Sequence, residues 1–264
     1  MNKKILVFIL ILLILFSVVI SYKVLTYFYK QSSEEKSFEV MREMRETPDL
    51  SSLERIYAEF YNQNPDFAGW ISISGTNISY PVMKNEEDPQ KYLHLDMYKK
   101  WTDTGTPFYS NISDPIKPTE ALIIYGHRNY TGTMFEDIYK MSKQDDFDAI
   151  GEAHLDTLTK RYVYEPKLVF KTQIGGDNFP YYDVSDFNNK AAFNVFIDGC
   201  YERSLVQKGT MPTYGEEILM LSTCEYSKRN GRVVLLLVKT DEYPLSPDNV
   251  SEEESLQINL EGGN

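Results

Sequence analysis

Histidine and cysteine are scarce in this chain: three of the first and two of the second among 264 residues. No CxxC pair is present, so the common zinc and redox spacings are excluded. No glycine-rich loop suited to a phosphate occurs, and no internal repeat, which argues against a P-loop nucleotide enzyme and against a solenoid. Positive charge is also short. Lys and Arg number 27 against 39 Asp and Glu, a formal net charge of -12. That balance argues against nucleic acid as a partner. Any acid–base chemistry through histidine must use His94, His127 or His154.

What is abundant lies first at the N-terminus. Lys3 and Lys4 precede an uncharged, apolar run from Ile5 to Tyr22. At about 1.5 Å per residue this run spans a hydrocarbon core of roughly 30 Å. The residues that follow, Lys23 to Lys30, contain no Ala-x-Ala-like cleavage site, which disfavours a removed signal peptide. The reading is a short cytoplasmic end at 1–4 and a transmembrane signal anchor at 5–22. Lysines at the start place the bulk of the chain outside the cell, although Lys23 and Lys30 weigh the other way.

Residues 23–62 read as a helical stalk. Leu53, Ile56, Tyr57 and Phe60 recur at helical spacing after the capping-box pattern Ser51-Ser52-Leu53-Glu54, and Pro48 divides the segment. Residues 63–240 form the main domain, where the pattern changes to short strands. Trp70–Ile73 and Ile78–Val82 flank the turn Ser74-Gly75-Thr76-Asn77 as a hairpin. Ala121–Tyr125, Tyr162–Tyr164, Lys167–Phe170, Leu219–Thr223 and Arg232–Lys239 are further strands, and 185–205 holds a helix. Many short strands with few helices predict a mostly β fold, a closed or partly closed barrel. Residues 241–264 carry seven acidic side chains and no Lys or Arg, and read as a disordered tail. The four Asn-x-Ser/Thr matches are weak patterns and imply no glycosylation.

Cys224 ends one apolar run, and eight residues later Arg232 opens the next. A thiolate beside a fixed cation suits acyl transfer, in which the thiolate attacks a carbonyl and the cation faces the oxyanion. Taken singly, a cysteine beside a strand is more often buried and inert, and an arginine at a strand end is more often a surface charge. Lys228 and Arg229 are rival cations in the intervening loop. His127 follows a buried strand and Gly126, where a loop residue can be partly exposed; position alone leaves a structural role equally open. His94 and His154 read as structural. Cys200 lies in an apolar setting and reads as a free, buried, structural cysteine, since a bond to Cys224 would consume the nucleophile.

Together these pieces resemble a sortase, and class B specifically. The residues that carry the resemblance are Tyr125-Gly126-His127-Arg128, Leu221-Ser222-Thr223-Cys224 and Arg232 at the head of the last strand. Asp66–Ile73, Tyr80-Pro81-Val82-Met83 and Thr131–Phe135 look like further class B segments. The resemblance implies a closed sortase-type β-barrel with N-terminal helices and a helix inserted before the cysteine strand. It implies a cysteine transpeptidase with Cys224 as nucleophile, His127 as general acid/base and Arg232 as the oxyanion or substrate-positioning cation. It calls for no cofactor and no metal. The implied partners are the sorting-signal peptide of secreted proteins, a peptidoglycan precursor amine and the membrane, at the surface of a Gram-positive cell.

Two positions depart from the family pattern. Met220 stands where a Thr is usual, which predicts a change of packing, and the segment Gly105–Asn111 lacks an acid often found after its Phe. Two rivals remain: a cell-wall cysteine peptidase that releases product to water, and a non-catalytic surface scaffold. The first usually has its cysteine at a helix N-terminus and before the histidine, an order this chain reverses.

Overall fold

The computed structural model describes residues 3–46, 50–115, 119–129, 131–175 and 179–246. Pro48 and most of the acidic tail lie outside these. The chain divides into two compact units, Met1–Met41 and Arg42–Asn264.

The first unit is helical throughout its described residues. Helix α1 (Lys3–Arg45) carries the apolar run without interruption past the expected boundary at 22, and its side chains from Ile5 to Phe28 are exposed wherever large and apolar. Among the described residues it is the one helix long and apolar enough to cross a membrane.

The second unit contains the end of α1 and helix α2 (Leu50–Gln63), whose buried residues are Leu53, Ile56, Tyr57 and Phe60. The i, i+3, i+4, i+7 spacing put these four on one stripe, and that stripe is what the helix hides. Nine strands follow: β1 (Phe67–Ile73), β2 (Ser79–Met83), β3 (Phe108–Tyr109), β4 (Ala121–Tyr125), β5 (Ala153–Asp156), β6 (Lys160–Gln173), β7 (Ser204–Gln207), β8 (Ile218–Glu225) and β9 (Gly231–Pro244). The short helices α3 (Glu136–Lys140) and α4 (Gln144–Asp148) lie between β4 and β5, and α5 (Lys190–Glu202) lies between β6 and β7.

The sheet runs β5-β1-β2-β3-β4-β8-β9-β6-β7, and a further β5–β6 pairing closes it. Eight strands therefore form a complete barrel, and β7 extends one edge. Closure pairs the two ends of the eight-stranded sheet with each other, leaving the short β7 as the exposed edge. Strand β6 makes this possible. One edge pairs with β9 along its whole length, while the other pairs first with β5 and then with β7.

Helix α5 covers one face of the sheet. Ile123, Leu168, Phe170, Met220, Val234 and Leu236 are all buried in one cluster beneath Phe193, Phe196 and Ile197 of α5. Met220, at the family's Thr position, is fully buried there. Helix α5 starts where Asn189 accepts a hydrogen bond from the Ala192 backbone N–H at 3.0 Å, a standard N-cap. The expected helix at 185–205 is thus shorter. The two strands expected at 162–164 and 167–170 are one strand, and β9 continues into residues first read as tail.

Candidate active site

Three neighbouring strands end at one rim of the barrel. Strands β4 and β8 are parallel, with Tyr125 opposite Ser222, and the Gly126 N–H donates to the Ser222 carbonyl at 3.1 Å. His127 and Cys224 each lie two residues beyond that pair, so the chain delivers them to the same level. Strand β9 runs antiparallel to β8, with Arg232 directly opposite Cys224. Residues directly opposite in an antiparallel pair have Cβ atoms about 5 Å apart. His127, Cys224 and Arg232 line a single cleft of about 690 Å³. Leu93, Tyr182 and Asp183 contribute to its walls.

His127 is held at one ring nitrogen. Its Nε2 lies 2.8 Å from the Leu93 carbonyl oxygen. A carbonyl can only accept, so Nε2 carries the hydrogen, and in the neutral ring Nδ1 is left with the lone pair. Burial pushes the His127 pKa down, the Leu93 bond pushes it up, and nearby His94 pushes it down again. The net direction is below the ordinary histidine value.

The loop around His127 is fastened on both sides. The Phe135 N–H donates to the His127 carbonyl at 3.0 Å. A Cβ on Gly126 would come within 2.6 Å of the Phe135 ring, so only glycine lets the loop lie this close. Arg128 donates from Nε to Glu136 at 2.9 Å, and its guanidinium lies 3.4 Å from the centre of the Tyr139 ring. On the other side, the Tyr226 hydroxyl donates to the Arg128 carbonyl at 3.1 Å, joining the histidine loop to the cysteine loop.

Arg232 is half-buried, and its Nη1 donates to the Gly231 carbonyl at 2.9 Å. Its charge reaches Tyr125: burial pushes that hydroxyl up to about 12, with Arg232 pulling the other way. Lys228 and Arg229 are exposed and do not line the cleft. Glu225, next to the cysteine, is turned away. It accepts from the Ser227 N–H at 3.0 Å and faces Lys171 at 3.8 Å. Burial opposes its ionisation, but the Ser227 bonds outweigh that and hold its pKa below the usual value.

The other candidates separate cleanly. Cys224 is partly exposed and Cys200 buried, and both thiols are free. Burial pushes the Cys200 thiol well above its ordinary value, so it stays protonated and inert. His154 sits on β5 opposite Ser72, away from the cleft. His94 does not behave as local packing alone. Its ring lies 5.5 Å from that of His127. No spacing in the sequence signals this, because the two residues meet only through the fold. Among the described residues, no group of three His, Cys, Asp or Glu is placed to hold a metal ion.

A family model described as Sortase domain matches residues 71–239. The chain belongs to the sortase family. Its activity is that family's cysteine transpeptidation, and its relatives are of class B. Sortase B of Staphylococcus aureus is 26% identical over 246 residues, covering 89% of this chain and 96% of the relative. Sortase B of Listeria monocytogenes is 27% identical over 176 residues, covering 65% and 69%. Among solved structures, sortase B from B. anthracis in complex with AAEK1 superposes with a TM-score of 0.70 at 26% identity, over 81% of this chain and 99% of that one. The S. aureus sortase B–substrate complex has the same fold, with a TM-score of 0.65 at 24% identity over 81% and 95%. The expected closed barrel with N-terminal helices is the observed one.

Proposed function

We propose that Cys224, His127 and Arg232 carry the transpeptidation, and that the donor is a sorting signal near the C-terminus of a secreted protein. The acceptor is an amine of a peptidoglycan precursor. The run at 5–22 anchors the enzyme, with residues 1–4 inside and the domain at 63–240 on the outer face of a Gram-positive cell membrane. The observation that carries the reading is the register: Cys224 opposite Arg232, with His127 delivered to the same cleft by the parallel neighbour strand. The shared fold of the S. aureus substrate complex supports a peptide in that cleft.

The chemistry follows from the groups. His127 takes the Cys224 thiol proton, and the thiolate so formed attacks the scissile carbonyl carbon, whose oxygen becomes an oxyanion facing the Arg232 guanidinium. Arginine keeps its charge throughout, so it stabilises that oxygen without exchanging a proton. The C–N bond then breaks, and the His127 imidazolium gives its proton to the departing amine. This leaves a thioester on Cys224 and a neutral His127. The incoming amine attacks the thioester, His127 takes its proton, and collapse restores the thiolate with a new amide bond.

Intact-protein mass spectrometry of the full chain in detergent tests the reading, using a library of sorting-signal-like peptides with triglycine as the amine. The expected result is a peptide-sized adduct on Cys224, absent from Cys224→Ala, discharged faster by triglycine than by water. A Cys224→Ala variant that still cleaves would sink the assignment. Equal discharge by water would make the enzyme a peptidase.

A further inference from the structure

The His127 ring touches a second histidine that the reaction above does not use. His94 follows Leu93, the residue whose carbonyl accepts from His127 Nε2. One short stretch of chain therefore grips His127 twice, by a hydrogen bond at Leu93 and by a ring at His94. The two rings lie 5.5 Å apart and tilted by 37°. His94 is in turn backed by Trp101, stacked at 4.8 Å and 21°. Trp101 is brought there by a loop that folds back on itself. Leu95 and Trp101 form an antiparallel bridge, the Asp96 N–H donates to the Lys100 carbonyl at 2.9 Å, and the Thr102 N–H donates to the His94 carbonyl at 3.0 Å. Trp101 is 65% exposed, so its face away from His94 is turned to solvent.

His94 itself gains little from its place. Its Nδ1 is buried with no hydrogen-bond partner among the described residues. A buried polar atom left unpaired is costly and calls for an explanation other than local stability. An apolar ring would fill the same space without that loss. The contact with His127 is what the position offers.

We propose that His94 is a positioning residue for transpeptidation: the Trp101–His94 stack forms a wall that fixes the orientation of the His127 ring. Two constraints on one ring define its plane. The Leu93 bond fixes one nitrogen but leaves the ring free to swing about that bond, and the His94 ring stops the swing. Nδ1 of His127 is then kept in one direction for both proton transfers. Catalytic groups lose rate steeply when such orientation is loosened. The inference rests on His127 being the acid–base of the proposed function.

The test compares His94→Ala, His94→Phe and His127→Ala in the full chain in detergent, with the peptide library and triglycine. Near-ultraviolet circular dichroism and thermal unfolding check the fold. His94→Ala is expected to lower turnover at saturating peptide about tenfold, with the half-saturating peptide concentration within twofold of the parent. His94→Phe, which keeps a flat ring against Trp101, is expected to recover most of the loss. His127→Ala is expected to be inactive. Turnover of His94→Ala within twofold of the parent overturns the proposal. So does a loss confined to half-saturation, or a Phe variant as poor as Ala while folded. An active His127→Ala, or a parent chain silent toward every peptide, overturns the function beneath it instead.

Discussion

At the residue scale the site depends on geometry more than on residue type. Arginine is common at strand ends, and most such arginines are surface charges. Arg232 differs because the ladder puts it opposite Cys224 with its side chain half-buried in the cleft. A planar guanidinium offers a fork of donors in fixed directions, which a compact ammonium cannot reproduce. Arg232→Lys is therefore expected to lower turnover by about 10²-fold, the scale seen when one oxyanion donor is lost. Steady-state kinetics of the variant with the acylating peptide would show this. Near-parent rates would show that the step does not need the guanidinium fork. The Cys224–Arg232 pair was legible in the sequence, because a short interval between two apolar runs is what a tight antiparallel pair looks like. His94 was not. Its importance comes from a loop of chain that returns beside the histidine strand, and no local pattern encodes that return.

At the element scale, the carbonyl that holds His127 is itself held. Gly105 has φ of +59°, and a Cβ there would lie 2.4 Å from both the Tyr92 and Leu93 carbonyl oxygens. Gly105→Ala must push those carbonyls aside, and Leu93 is the one bonded to His127. The expected outcome is a destabilisation of about 1–3 kcal/mol, with a loss of turnover larger than the shift in unfolding temperature explains. Activity measured well below the unfolding midpoint separates the two effects. Element recognition from sequence followed the strength of the periodic signal. The stripe on α2 and the buried run of β4 were plain. Strand β6 was read as two because Pro166 interrupts it. The structure keeps one strand by placing that proline where the partner on one edge changes from β5 to β7, with irregular register against β9. Strand β3 has two residues, too few to show any period.

At the scale of the whole domain, barrel closure and the N-terminal helices meet at Asp156. Its carboxylate is fully buried and accepts from Arg161 Nε at 2.6 Å, Arg161 Nη2 at 2.8 Å, Arg45 Nη2 at 3.1 Å and the Tyr57 hydroxyl at 2.6 Å. These partners come from β6, the end of α1, and α2, while Asp156 itself ends β5. Burial works against its ionisation, but the Arg161 bonds and the charges of Arg161 and Arg45 outweigh it, and its pKa falls below the usual value. A carboxylate depressed in the folded state stabilises fully above its unfolded pKa of about 3.9, and that contribution fades as pH falls below it. Removing the charge leaves two arginines without their partner. Asp156→Asn is expected to cost about 3–5 kcal/mol at pH 7 and to flatten the acid side of the stability profile. Urea denaturation between pH 3 and 7 checks both. The sequence did not reveal this knot, since nothing in Leu155-Asp156-Thr157 announces that the barrel seam passes there.

One consequence of the sheet order concerns force. Strand β8 is not at an edge: it is paired from Ile218 to Ser222 with β4 on one side and from Ile218 to Glu225 with β9 on the other. Cys224 lies near its end. On the proposed reading that Cys224 carries the acyl group, a pull on it directed along the strand loads both ladders in shear instead of peeling bonds one at a time. The nucleophile proposed for this chain is thus moored through a strand held on both sides.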